Sequence, residues 1–388
     1  MSDAPHFPID AQAFWHDPYP ALAEMRQRCP IAYVPQLGAT LFSRHAHITA
    51  LEKLTEVFSS HQPLGLMNRL MGLNMMRKDG AEHIAERKLM LASLGPQAVR
   101  SHWAPLFQAD ARRLLQALAP QRQADLIAAY AMPLSAEALK ALTGLVNMRW
   151  QDMDAWSQAM IDGIANYSGD PATEARCHAA TAGIDACITA RAPQLAAQPD
   201  ASLLSVMQRA GLPEASVRAN IKLSISGGQN EPRDAIAGAA WALLAHPDQL
   251  ARVLAGQVPW RRVFDEYVRW MSPIAMSPRR VAQAFTVDGV TLAPDDRVFF
   301  MFGSANRDAA VFADADRFDI DRDASSHIAF GAGPHYCAGA AASKSLIAEV
   351  ALPALFTHLP GLRLQPGAEV RFGGWAFRGP LSLPAAWG

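Results

Sequence analysis

The chain has 388 residues, half of them apolar, with 35 Lys and Arg against 36 Asp and Glu and a formal net charge of −1. That balance argues against a nucleic-acid partner or a strongly basic membrane surface, and the length is ample for a sizeable core. Four cysteines, Cys29, Cys177, Cys187 and Cys337, show neither CxxC pairing nor zinc spacing, so no disulfide framework is expected and a reducing cytoplasm fits.

Met1 to Trp15 contains acidic and Pro residues but neither a basic n-region nor a long apolar run, so neither signal peptide nor membrane anchor is expected. Ile31 to Pro35 and Ala39 to Phe42 flank Leu37-Gly38 as a hairpin. Helical periodicity then dominates from about Glu82 to His246, with Ala-, Leu- and Met-rich faces interrupted at Ala119-Pro120 and Gly211-Leu212-Pro213. A further helical stretch, Arg261 to Trp270, ends before Ser272-Pro273. Two β signals follow, near Phe285 to Leu292 and Arg297 to Phe302, and Val370 to Trp387 reads as irregular strands among aromatic, Pro and Gly residues. No linker, charge block or internal repeat divides the chain, so 1–388 is expected to be a single domain, mainly α with small β-sheets.

Chemistry concentrates at Phe330-Gly331-Ala332-Gly333-Pro334-His335-Tyr336-Cys337-Ala338-Gly339, where one cysteine sits on a glycine-rich loop just before an Ala-rich helix. Backbone N–H donors and the positive end of the following helix stabilise a thiolate in such a place, and glycines let the backbone curl closely around the sulfur. A thiolate there suits a haem iron, and thiolate ligation favours O–O cleavage.

The loop meets every fixed position of F-G-x-G-x-H-x-C-x-G, and the chain thereby resembles the haem-thiolate monooxygenases called cytochromes P450, over nearly its whole length. That resemblance implies the cytochrome P450 fold and haem b, with Cys337 as axial ligand of the iron and Phe330, Gly331, His335 and Gly339 in the haem-binding loop. A second family motif, E-x-x-R, stands upstream as Glu266-Tyr267-Val268-Arg269. Alone it is only a common i,i+3 helix pair, but its order and distance before the loop give it a structural role. In the family its Arg is tied to a later segment, which here looks like Asp316-Arg317-Phe318-Asp319, with Arg317 as the candidate partner. The stretch Asp79 to Arg87 resembles the family's D-G-x-x-H-x-x-x-R, which assigns His83 and Arg87 to one haem propionate. His335 and Arg280 match the remaining propionate positions, and the adjacent Arg279 is an equal alternative to Arg280.

The family's distal helix usually reads A-G-x-D/E-T. Counting back from His246-Pro247 places Gly228 at its Gly, Asn230 at its acid and Glu231 at its alcohol, within Ser226-Gly227-Gly228-Gln229-Asn230-Glu231-Pro232-Arg233-Asp234. Pro232 lacks an N–H and disfavours helical geometry at Glu231, so a local break with ordered water is expected. Glu231, whose pKa burial can tune, is the candidate proton donor, and Asn230 and Gln229 are candidates to orient water. The competing reading is a plain helix N-terminus, for which Asn-Glu-Pro is good capping chemistry.

This departure, with Ser304 to Asp308 and Trp375 to Pro380, resembles bacterial cytochromes that O-demethylate lignin-derived methoxyaromatics. The resemblance implies a cytoplasmic enzyme acting with dioxygen on a small aromatic or apolar substrate. Its electrons come indirectly from NAD(P)H through a separate ferredoxin or flavin/iron–sulfur reductase, because no flavin or iron–sulfur motif is appended. Leu64, Leu66, Met67, Met71, Phe58, Phe285 and Phe377 are candidates for the pocket wall, in competition with simple core roles. The rival readings are a peroxide-driven peroxygenase, a hydroxylase of another small apolar compound such as an ether, thiocarbamate or terpenoid, and a haem sensor without turnover.

Overall fold

The computed structural model describes residues 2–166 and 169–388. Their contacts gather into two compact units, Met1–Gln62 with Gly238–Cys337 and Gly367–Leu383, and Pro63–Ala237 with Ala338–Pro366 and Pro384–Gly388.

The first unit carries a five-stranded sheet in the order Ile31–Val34, Ala39–Phe42, Arg297–Phe300, Ser277–Val281, Phe58–Ser59. The expected hairpin is present, running antiparallel from Ile31↔Phe42 to Val34↔Ala39, with Gly38 at φ +57° supplying the turn. Ala39–Phe42 then pairs in parallel with Arg297–Phe300. All four residues of Ala39–Phe42 are buried, because alternate side chains feed two clusters. Phe42, Val298 and Phe300 join Phe58 and Val281 in one, while Ala39, Leu41 and Phe299 join Phe14 and Met25 in the other. The Phe42, Phe58 and Phe300 rings lie 5.8, 5.5 and 5.4 Å apart. Phe58 is therefore core, not pocket wall, and Phe285 packs on it with 5.5 Å between centroids.

The β signal over 285–292 is a separate hairpin, Phe285–Val287 with Val290–Leu292. Asp288 and Gly289, both at positive φ, form the tight turn whose twist suits such a pair. The helix Trp260–Met271 buries Val263, Phe264, Tyr267, Val268 and Met271 on one side and stops at Ser272, before Pro273. Gly238 lets the chain pass over it, since an added Cβ would stand 1.7 Å from the Tyr267 hydroxyl oxygen.

The second unit is helical. It contains Gly80–Leu94, Ala104–Leu118, Met132–Thr143, Trp150–Ile164, Pro171–Ala197, Glu214–Ser226 and the start of Asn230–Ala245. Helical structure is not continuous across the predicted span. A strand at Gln123–Asp125 follows the expected break at Pro120, and Pro384–Ala386 joins it to Arg363–Leu364. Gly163 sets the close approach of two helices, an added Cβ falling 2.7 Å from Cys177 Sγ. The segment Ala340–His358 is long and apolar enough to cross a bilayer, but Leu346, Ile347, Leu352 and Leu355 are buried and Tyr130 Oη donates to the Ala351 carbonyl at 2.8 Å. It packs as a core helix.

Candidate active site

Three backbone hydrogen bonds shape the cysteine loop. Gly331 N–H donates to Ile328 O at 2.9 Å, Tyr336 N–H to Gly333 O at 2.9 Å and Cys337 N–H to Phe330 O at 2.8 Å. Gly331 takes φ +83°, where a side chain would be strained. Cys337 is half-buried and, like the other three cysteines, outside any disulfide. Helix Ala340–Lys344 begins just beyond Gly339. A single thiol on a hydrogen-bonded loop leading into a helix fits a thiolate-ligated haem as a donor set. Phe330 packs 6.2 Å from Phe264, on the helix that carries the E-x-x-R residues, and His335 is half-buried.

Glu266 and Arg269 form a doubly hydrogen-bonded pair at 2.7 and 2.8 Å, with 1% and 0% side-chain exposure. Arg269 also donates to the carbonyls of Asn306 and Ala315 at 2.8 Å each and of Arg317 at 3.2 Å. The later segment is thus held through its backbone. The Arg317 side chain lies outside the network, 69% exposed and paired with Asp319. The cation missed in the sequence is Arg322, whose Nε lies 3.3 Å from Glu266 Oε1 and whose remaining nitrogens reach the Ala313 and Asp314 carbonyls.

Removing one partner of so enclosed a pair costs about 3–5 kcal/mol, a large share of the roughly 5–15 kcal/mol that holds a domain. Arg269→Ala is expected to yield little folded protein, with the urea midpoint of any soluble fraction far below wild type. A midpoint within error of wild type would show that the pair holds nothing.

On Gly80–Leu94, His83 is buried and Arg87 half-buried, one turn apart on the face that also buries Glu86 and Met90. Glu86, unremarked in the sequence, accepts from Lys78 Nζ at 2.5 Å and Asn220 Nδ2 at 2.8 Å. The two adjacent arginines separate cleanly. Arg280 is 29% exposed, bound to Asp295 and the His61 carbonyl. Arg279 is 3% exposed and paired with Glu52 at 3.0 Å. Arg279 is the inward side chain and is already paired with a buried carboxylate, while Arg280 keeps the more accessible guanidinium.

The distal motif occupies a break between Glu214–Ser226 and Asn230–Ala245. The interruption falls at residues 227–229, just upstream of the expected place, and Asn230-Glu231-Pro232 form the first turn of the second helix. Gly228 fits because an added Cβ would lie 2.5 Å from Ser224 O. Gln229 is fully buried and chiefly a tie. Its Nε2 donates to Asp154 Oδ1 at 2.8 Å and to Met132 O at 3.3 Å, and its carbonyl accepts from Ser135 at 2.7 Å. Asn230 Nδ2 donates to Gln158 at 2.9 Å.

Glu231 differs from both neighbours. Its two carboxylate oxygens are enclosed and meet no hydrogen-bond partner on any other described residue. Burial pushes its pKa up to about 7; Asp234 adds to the rise, while its own amide and Arg233 oppose it. Arg233 bridges Asp234 at 2.9 Å and Asp154 at 3.3 Å, and burial raises the Asp234 pKa as well, against the pull of Arg233.

The patches that suggested a subfamily have structural work. Asn306 donates to Ser272 Oγ and accepts the Ile328 N–H. Arg307 donates to the Trp270 carbonyl and lies over the Tyr19 ring at 3.4 Å. Trp375 packs on Phe14 and Phe299, and Arg378 donates to the Gly374 and His16 carbonyls. Of the pocket-wall candidates, Leu64 is 99% exposed, while Met67 and Met71 are buried in Leu66–Met71.

Residues 260–359 match the family model described as Cytochrome P450. Over 320 residues the chain is 30% identical to pentalenic acid synthase of Streptomyces avermitilis, covering 80% of this chain and 76% of that protein. Pulcherriminic acid synthase of Bacillus subtilis is 26% identical, with 98% and 97% covered. Among solved structures, P450BioI in complex with an acyl carrier protein ligated to hexadec-9Z-enoic acid superposes with a TM-score of 0.89 at 21% identity, covering 97% of this chain and 100% of that one.

Proposed function

The chain belongs to the cytochrome P450 family, and from that premise we propose that it O-demethylates a small methoxyaromatic compound. As a member it has the P450 fold and is a haem b monooxygenase supplied with electrons by a separate redox partner. Residues 1–388 work as one haem-thiolate domain in the cytoplasm. Cys337 would hold the iron, and His83, Arg87, His335 and Arg280, with Arg279 as the alternative to Arg280, would hold the propionates.

Bound haem supplies oxidation of a substrate C–H bond by dioxygen and two electrons. The methoxy group, two electrons, two protons and dioxygen become a hemiacetal and water, and the hemiacetal collapses to a phenol and formaldehyde. The chain's own task is to hold the methyl in place, exclude bulk water and deliver protons.

The observation that carries proton delivery in this reading is the enclosed Glu231 carboxyl, at the position that the motif count gives to the family's alcohol. A carboxyl with a pKa near 7 is half protonated at neutral pH and can both give and regain a proton. Gln229 and Asn230 fix the turn that presents it. The same acid–base group supports a second reading, in which hydrogen peroxide replaces dioxygen and reductant.

A spectral titration of the ferric protein with methoxybenzoates, methoxyphenols and methoxybenzenes tests the substrate class, followed by formaldehyde measured per reductant consumed. We expect at least one methoxyaromatic to shift the haem spectrum and release formaldehyde with a ferredoxin and its reductase. Spectral shifts confined to terpenoids or aliphatic ethers, with no formaldehyde, would discard O-demethylation. Turnover with peroxide alone would favour the second reading.

A further inference from the structure

Glu52 follows the short helix His45–Leu51 and is buried, yet it belongs to none of the motifs on which the haem reading stands. Its carboxylate is held from two sides. Oε2 accepts the Ala332 N–H at 2.6 Å, and Oε1 accepts from Arg279 Nη2 at 3.0 Å, the two side chains being 2% and 3% exposed. Arg279 is itself fixed by donating to Ser277 Oγ at 2.5 Å and Pro278 O at 2.9 Å. The Glu52 main chain shares the contact. A Cβ built on Gly333 would stand 2.4 Å from the Glu52 carbonyl oxygen, and one on Gly331 would stand 3.6 Å from each carboxylate oxygen. Gly331, Ala332 and Gly333 thus lie directly on Glu52, within the same loop that presents Cys337.

Holding the Ala332 N–H needs only a neutral acceptor, and a buried carboxylate is a costly way to provide one. What the charge adds is a field. A fixed negative charge in a low-dielectric interior opposes the arrival of an electron nearby, and a neighbouring guanidinium offsets it. We infer that Glu52 is a positioning residue with two separable effects. Its reach fixes the loop that presents Cys337, and its charge, balanced by Arg279, sets how readily the haem accepts an electron. The inference rests on Cys337 being the iron ligand.

The test measures the midpoint potential and the reduced, carbon monoxide-bound spectrum of the haem-loaded full-length protein as wild type, Glu52→Gln and Glu52→Asp. Glu52→Gln keeps length and an acceptor but leaves the Arg279 charge unbalanced, so the midpoint shifts positive while the thiolate-type spectrum persists. Glu52→Asp keeps the charge but is one methylene short, so the midpoint stays with wild type and the thiolate-type spectrum decays several-fold faster. A Glu52→Gln midpoint equal to wild type overturns the inference, as does an equal shift in Glu52→Asp. If Glu52→Gln does not accumulate as folded protein, a Glu52→Asp decay rate equal to wild type overturns it. A wild type lacking the thiolate-type spectrum rejects the Cys337 reading and this inference with it. A thiolate-type wild type with unmoved variants rejects only the role of Glu52.

Discussion

Exchange of Cys337 for alanine is expected to remove the thiolate-type spectrum of the reduced, carbon monoxide-bound protein completely, and monooxygenase turnover with it, while the far-ultraviolet circular dichroism and melting curve stay close to wild type. The separation follows from what the residue contributes. Its N–H donates to the Phe330 carbonyl, a bond that alanine keeps, and its sulfur is in no disulfide. The loop is shaped by Gly331, by the Gly333–Tyr336 turn and by Glu52, all of which survive the exchange. The sulfur is the sole soft donor the loop offers iron, so no second thiolate can take its place. An alanine variant that retains the thiolate-type spectrum, or a wild type with a histidine-type spectrum, would remove Cys337 from the iron.

Glu231→Gln is expected to leave reductant consumption running while product formed per reductant falls several-fold. The variant keeps the volume of the side chain and loses only the exchangeable acid. In wild type, coupling should decline as pH rises through about 7, where the carboxyl gives up its proton, and the glutamine variant should be flat across that range. Stability moves in a fixed direction too. The folded carboxyl, at about 7, binds a proton more tightly than its ordinary value of 4.5, so the folded state holds more protons between those limits. Folding stability therefore falls as pH rises from 4.5 to 7 and levels off above, by an amount on the order of 3 kcal/mol. Glutamine escapes that loss, so the variant should show the shallower fall in urea midpoint between pH 5 and pH 8. Identical coupling in wild type and variant would discard proton delivery, and parallel stability profiles would discard the raised pKa.

What could be read from the sequence was what is written locally. The cysteine loop is one contiguous stretch whose residue types answer to a single requirement, and Glu266 and Arg269 sit one turn apart, so a helix brings them together without help. The first hairpin carried its own turn chemistry at Leu37-Gly38, whereas 285–292 read only as a β signal although Asp288-Gly289 makes its turn. Partners recruited from afar were not legible. Glu52 reaches Ala332 and Arg279, and Asp154 reaches Gln229 and Arg233, across long sequence separations that no spacing encodes. Arg317 misled because the segment matters through its carbonyl, an atom every residue has, while Arg322 supplies the charge. Which of Arg279 and Arg280 turns inward was decidable in principle. On an alternating strand Val281 faces the core, so its even-spaced neighbour Arg279 does as well, and Arg279 and Val281 are buried with Arg280 half-buried between them. The strand Gln123–Asp125 had no propensity to announce it, since its partners supply the reason it is extended.

The parallel pairing of Ala39–Phe42 with Arg297–Phe300 has a consequence for the birth of the molecule. On the ribosome the N-terminal hairpin emerges early, but the strand that completes its sheet is separated from it by most of the chain. At about 5–20 residues per second, the apolar faces of Leu41, Phe42 and Phe58 wait for Phe299 and Phe300 over a period of roughly ten to fifty seconds. During that interval the hairpin has an open edge and two oily sides, so the nascent chain is a natural client for chaperones that shield such surfaces.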